Sequence, residues 1–181
     1  MQTLKIALTI IVALSLQMLL PKFIPAIQYV DLALVITVYF ALQRAPLLGM
    51  IVGCLAGNGG DAVTGGILGV GGFSKTLIGY LVGVASVKLS LEHPLARLAV
   101  VALASAANTF LFVGLYQMLQ QEQMLRQALP FTATWAEFGR TLGWKALADT
   151  VAAIVLFVIL DRVFSEQTAA RRMAIKKRFY E

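Results

Sequence analysis

The sequence predicts an all-α, polytopic integral membrane protein with about six transmembrane helices. Three observations carry this expectation. Apolar residues make up 59% of the 181 and charged residues only 13%. A soluble domain runs nearer ~45–50% and ~25%, so this chain lacks the polar residues to cover a water-facing surface of its size. The apolar residues also fall into runs of the roughly 17–25 that a bilayer span requires, and about six such runs fill the length. Finally, the alternation expected of an outer-membrane barrel is absent, and an open sheet edge has no hydrogen-bond partners in lipid.

Each element has its own signals. A first helix is expected over 4–20, stopped by Pro21 and Pro25. Lys5 ahead of the apolar run is also how a secretory signal begins. No small-x-small cleavage site follows, so an uncleaved helix is the better reading. The second helix begins near residue 24 or at Asp31 and ends at Leu42, with Gln43 and Arg44 closing it. Asp31 reads as its N-terminal residue, where the helix dipole favours an anion, rather than as an acid inside a span. The third helix opens at Ala45-Pro46, proline suiting a first turn, and reaches about Gly60. A glycine-rich connection over 61–72 leads to the fourth helix, 73–89. The polar break Ser90-Leu91-Glu92-His93-Pro94 ends that helix. The fifth, 98–119, carries no charge. The longest polar connection, 120–143, holds Pro130 and Trp135. With Trp144 just beyond it, its aromatics are placed as interfacial anchors. The sixth helix covers 145–160. The chain thus divides into a six-helix transmembrane domain, 1–164, and a basic tail, 165–181.

The net charge of +6 sits in connecting segments and in the tail. That is the pattern of a membrane protein orienting itself, not of one that binds nucleic acid. An even number of spans puts both termini on one side. That side holds Lys5, Arg44, Lys88, Arg97, Arg162, Arg171, Arg172, Lys176, Lys177 and Arg178, ten basic residues. The other holds five: Lys22, Lys75, Arg126, Arg140 and Lys145. The bias predicts cytoplasmic termini. One cysteine, Cys54, excludes an internal disulfide or a cysteine-cluster metal site. One histidine, His93, argues against a histidine-based metal site. No cofactor is expected.

The strongest local pattern is Gly49, Gly53 and Gly57, spaced by four in the third helix. Small-xxx-small faces let backbones approach closely, which drives helix association in lipid. Asp61 lies one step of four further on. Lys75, Gly79 and Gly83 repeat the spacing in the fourth helix. The two faces are expected to pack, with Asp61 and Lys75 forming an ion pair or a partner contact at the non-cytoplasmic mouth. The alternative is a snorkelling Lys75 and a solvated Asp61. Asp149 follows Lys145 by four residues and is expected to pair with it on one helix face. A proton relay would want several ionisable groups deep in the spans, and the first, third, fourth and fifth helices offer essentially none. Ser105 and Asn108 read as interhelical hydrogen-bonding groups.

Enzyme signatures fail in turn. There is no G-x-S-x-G elbow, H-E-x-x-H or P-loop. The stretch Gly65-Gly66-Ile67-Leu68-Gly69-Val70-Gly71-Gly72 lacks the following Lys-Ser/Thr of a phosphate loop and suits a turn. In the tail, Arg171, Arg172, Lys176, Lys177 and Arg178 alternate with apolar residues. Such a segment lies on an anionic leaflet, each basic residue being worth about 1 kcal/mol there. It is also a candidate contact for an acidic cytoplasmic partner.

One stretch carries a family resemblance. Val30-Asp31-Leu32-Ala33-Leu34-Val35 is followed by Tyr39-Phe40-Ala41-Leu42-Gln43-Arg44-Ala45-Pro46-Leu47-Leu48-Gly49. Then come Gly53-x-x-Ala56-Gly57-x-x-x-Asp61-x-x-Thr64-Gly65, Leu68-Gly69 and Gly79-Tyr80-Leu81-x-Gly83. This resembles the rod shape-determining protein MreD family. Val30 stands where the family usually has proline, and Thr64 where serine is common. The motifs cover about a third of the chain; length, span number and the basic tail agree over the rest.

The resemblance implies a non-catalytic bacterial inner-membrane scaffold of the cell-wall elongation machinery. It would work with MreC and be linked to MreB and to RodA with its transpeptidase. It also implies a fold similar to the substrate-binding subunits of energy-coupling factor vitamin transporters. A vitamin-binding subunit is therefore the alternative, with Asp61, Lys75, Arg140, Trp135 and Trp144 at its mouth. An intramembrane enzyme is remote, since no nucleophile–base pair is visible. Membrane lipid is the surrounding partner in either case. The number of copies that assemble is not legible, and a homo-oligomer is among the states allowed.

Overall fold

The computed structural model describes residues 2–23, 30–43, 45–89, 93–119 and 135–164. They form six α-helices: α1 (Gln2–Phe23), α2 (Leu32–Ala41), α3 (Pro46–Thr64), α4 (Val70–Lys88), α5 (Pro94–Met118) and α6 (Trp135–Val163). Three of them, α3, α4 and α5, are long and apolar enough to cross a membrane; α1 contributes a shorter apolar stretch, Thr3–Leu19.

α2 is the hub. All ten of its residues are buried, and it touches each of the other five helices. At a rise of 1.5 Å per residue it is ~15 Å long, about half of a ~30 Å hydrocarbon core. It is apolar on every side (Leu, Ala, Val, Ile, Tyr and Phe around one Thr37), as a helix enclosed by others must be. At its C-terminal end aromatic rings pack together, two pairs edge to face and one tilted. The Tyr39 and Phe40 centroids lie 5.3 Å apart, Tyr39 and Phe157 5.3 Å, and Phe40 and Phe164 5.4 Å. Such pairs add ~0.5–1.5 kcal/mol beyond their burial. Tyr39 Oη donates to Asp161 Oδ1 at 2.9 Å, and Arg97 stands 3.7 Å from the other oxygen of that carboxylate.

Several boundaries differ from the sequence reading. α1 runs through Pro21 to Phe23. The ring removes the bond its own amide would have made and crowds the carbonyl one turn back, a cost confined here to the last described turn of α1. α3 reaches Thr64 and α4 starts at Val70, leaving a link of five residues, 65–69, where twelve were expected. Two glycines make so short a link feasible: Gly65 caps α3 at φ 69° and Gly69 precedes α4 at φ 100°. Both angles are strained for any side chain with a Cβ. α6 begins at Trp135, so part of the expected polar connection is helical and the helix runs to 29 residues. The remainder of that connection, 120–134, lies outside the described residues.

α3 and α4 lie antiparallel at unusually close range. A Cβ built on Gly49 would come 2.6 Å from Gly79 O and 2.7 Å from the Ala41 Cβ of α2. On Gly53 it would strike the Lys75 carbonyl, and on Gly57 that of Gly71. On Gly83 it would lie 2.5 Å from Pro46 Cα. The obstacles are mostly backbone, which cannot step aside. Ser86 Oγ ties this pair to the end of α2 by donating to Ala41 O at 3.1 Å.

This packing makes opposed predictions for two glycines of one helix. Gly53→Ala should lose ~1–3 kcal/mol of stability through overpacking. Gly60→Ala, which meets nothing within 4 Å, should gain up to ~0.5–1 kcal/mol from helix propensity. Denaturant unfolding of the two variants in detergent measures both.

Candidate functional site

Asp31 sits where α2 begins, and its placement organises the polar interior. As N-cap it accepts the Leu34 amide through Oδ1 at 3.0 Å. Its Oδ2 receives Lys75 Nζ of α4 at 2.9 Å and Asn108 Nδ2 of α5 at 3.5 Å. Ser74 Oγ donates to Asn108 Oδ1 at 3.1 Å. The Asp31 backbone amide donates to Asp149 Oδ1 of α6 at 2.7 Å, and Ser105 Oγ stands 2.5 Å from Asp149 Oδ2. Four helices thus converge on one cluster of two carboxylates, one ammonium, two hydroxyls and one amide. From α1, Gln17 Oε1 accepts the Ala33 amide nearby at 3.3 Å.

The cluster lies deep. Asp149 is the middle residue of α6, and Ser105 is within one residue of the middle of α5. Asp149 and Ser105 are 0% exposed, Asn108 1%, Lys75 6% and Asp31 8%. Among the described residues no buried side-chain nitrogen or oxygen lacks a partner. Satisfaction of that order is what makes polar groups tolerable in a low-dielectric interior.

Asp61 and Lys75 do not pair with each other. Because α3 continues one turn further than expected, Asp61 is inside the helix and faces the start of α4. There its carboxylate accepts the amides of Gly69 at 2.9 Å, Gly71 at 2.9 and 3.1 Å, and Gly72 at 3.3 Å. Gly69 has no side chain with which to cap α4, so Asp61 caps it from the neighbouring helix. The positive end of the α4 dipole then balances the carboxylate. Lys75, five residues into α4, points inward, where Asp31 is the available acid. It neither snorkels nor lies at a mouth.

Asp149 likewise makes its hydrogen bonds elsewhere than with Lys145, whose charge nonetheless acts on it. The expected local pair is replaced by contacts to α2 and α5, because the face of α6 that carries Asp149 is the one packed on those helices. Ser105 and Asn108 bridge helices, as their residue types suggested. Sequence reasoning missed Asp31 as the partner of Lys75, Ser74 as a member of the cluster, and Gly71 as the residue opposite Gly57. The available signal was stoichiometric: a lone lysine within an apolar helix needs an acid at its depth, and Asp31 and Asp149 were the acids within reach.

Chemically the cluster holds a paired ammonium and carboxylate in a buried, hydrogen-bonded setting. The Ser105 hydroxyl is fully buried, so it is no accessible nucleophile. Among the described residues no three of His, Cys, Asp and Glu converge on a metal site. Of the remaining sequence candidates, Trp144 is exposed, as is Arg140. The tail residues Arg171, Arg172, Lys176, Lys177 and Arg178 lie outside the described residues.

The geometry predicts which pairs are coupled. Lys75→Met alone should cost ~3–5 kcal/mol, because it leaves Asp31 buried without its cation. The double variant Asp31→Leu/Lys75→Met should recover much of that loss. Asp61→Asn and Lys75→Gln should be nearly additive, whereas Asp31→Asn and Lys75→Gln should show a coupling of ~0.5–3 kcal/mol in a double-mutant cycle.

Comparison with known proteins accords with the motifs around Asp31, Asp61 and the glycine faces. The family model described as rod shape-determining protein MreD matches residues 1–165, which leaves 166–181 beyond the match. No curated protein and no solved structure matches the chain. A match over that share of the sequence, with the helical membrane architecture described above, places the function in rod-shape determination: the chain belongs to the MreD family.

Proposed function

We propose that the chain is a non-catalytic inner-membrane scaffold of the bacterial cell-wall elongation machinery. It supports rod shape by binding MreC and by linking to MreB and to RodA with its transpeptidase. The observation that carries this reading is the family match over residues 1–165. The physical character of the bundle is consistent with it. A scaffold must present a fixed outer shape, and rigidity here has two sources: glycine-mediated backbone contact between α3 and α4, and a polar cluster that fastens α2, α4, α5 and α6 together.

The proposal includes the topology. With α2, too short to span by itself, counted as one pass together with the residues that flank it, six passes put both termini in the cytoplasm, on the side with ten of the fifteen basic residues. Arg171, Arg172, Lys176, Lys177 and Arg178 then meet the anionic leaflet or an acidic partner. Gly49, Gly53, Gly57, Gly79 and Gly83 serve as packing residues. Asp61 and Lys75 act inside the fold rather than as direct partner contacts.

Affinity purification of the tagged chain in mild detergent tests the assignment. MreC and the RodA–transpeptidase pair should be recovered without a stoichiometric metabolite. Recovery of a vitamin or of transporter ATPase subunits would reject it. In cells lacking the native gene, a Gly53→Leu variant should fail to restore rod shape. Neutralising the five tail residues should leave the folded protein intact and weaken its retention on anionic vesicles.

A further inference from the structure

We propose that the end of the bundle where α6 terminates binds anionic phospholipid headgroups through Lys5, Lys88 and Arg162, three exposed cations carried by three different helices.

The fold gathers these residues at one end. Tyr39 of α2 and Arg97 of α5 both reach Asp161, so the end of α2, the start of α5 and the end of α6 lie together. Ser86, near the end of α4, donates to Ala41 O at the end of α2. Gln17, in the later part of α1, accepts the Ala33 amide at the start of α2, which leaves the start of α1 beside the end of α2. Lys5, Lys88 and Arg162 are all exposed there. Among the described residues this end has one acid, Asp161, and Tyr39 and Arg97 already engage it. Among the described side chains of the opposite end, the exposed Arg140 and the half-buried Lys145 share a single helix.

What stands beside each cation identifies the ligand. Leu4 and Leu8 flank Lys5, Val87 and Leu89 flank Lys88, and Ile159 and Val163 flank Arg162; all six are 51–73% exposed. On a chain that spans lipid, exposed apolar side chains of this size meet acyl chains, and a cation one residue or one turn away lies at the headgroups. Lysine and arginine lay their stems along such apolar surface and hold their charge at the boundary. An acidic segment of a water-soluble protein would reach these cations only where acyl chains already surround them. A phospholipid brings its anion with the acyl chains attached. Each basic residue near an anionic leaflet attracts it, and cations on α1, α4 and α6 together hold the bundle at a set depth and tilt. Headgroup binding rests on the membrane reading and on the bundle's own helices; it requires neither the tail nor the scaffold assignment.

Thermal unfolding of the full chain decides the matter, in detergent micelles doped with phosphatidylglycerol or with phosphatidylcholine of the same acyl chains. Phosphatidylglycerol should raise the midpoint further than phosphatidylcholine, and the excess should shrink in ~1 M salt, where the screening length is ~3 Å. Neutralising the five tail residues should leave the excess in place. Lys5→Gln/Lys88→Gln/Arg162→Gln should abolish it. The charge-conserving Lys5→Arg/Lys88→Arg/Arg162→Lys should keep it, which separates lost charge from disturbed folding. Equal shifts with the two lipids, an excess that survives the glutamine variant, or one that vanishes on neutralising the tail alone would overturn the proposal. So would an equal shift from inorganic phosphate, which carries the anion without the acyl chains. No partner protein enters the experiment, so its failure leaves the scaffold assignment untouched.

Discussion

Lys75 meets Asp31 in the interior of the bundle, beside the point where the backbones of α3 and α4 run closest. The carbonyl of Lys75 rests where a Cβ on Gly53 would stand. The α4 backbone at that point is turned toward α3, and the lysine side chain enters the bundle. An ammonium there demands an anion, and the carboxylate that caps α2 supplies it. The ion pair fixes where α2 begins, how deep it lies, and which residues of α5 and α6 must be polar. Asn108, Ser74, Ser105 and Asp149 follow from it as successive hydrogen-bond obligations.

That dependence explains the odd shape of α2. A helix of ten residues is marginal alone, and all its stability must come from enclosure. It receives enclosure from all five neighbours, with aromatic packing at one end and the polar cluster at the other. The two ends have different physics. The aromatic end gains from burial and dispersion and tolerates small shifts. The Asp31 end gains little net energy from its ion pair, since desolvation offsets most of the attraction. What it supplies is register: a displaced α2 would leave a buried ammonium without its anion. For a protein whose family determines rod shape, a core that permits one arrangement is the relevant property.

The glycine faces and the carboxylate caps divide the remaining work. Asp61 joins α3 to α4 through amides at the short link, and Gly49 and Gly79 join the same helices to α2 at the opposite end. The contacts at each end are between backbones or between a side chain and backbone. They therefore depend on residues being small or acidic rather than on finely matched apolar volumes.

Composition alone determined that this chain is helical and belongs to lipid, because apolar runs of span length have no other solvent. Local spacing determined the glycine faces, since period-four recurrence on a helix is geometry. The termini of α5 and α3 were legible through Pro94 and Pro46, whose ring suits a first turn. The partners of the charged residues were not legible. Asp61 and Lys75 share the spacing that suggested a pair, yet one faces amides and the other a carboxylate more than forty positions away. Asp149 has a lysine one turn away and faces α2 and α5 instead. A helix pattern states which residues share a face but not what that face meets. Only the tertiary packing of six helices could decide that, because burial makes every polar group take the partner at its own depth, regardless of distance along the chain.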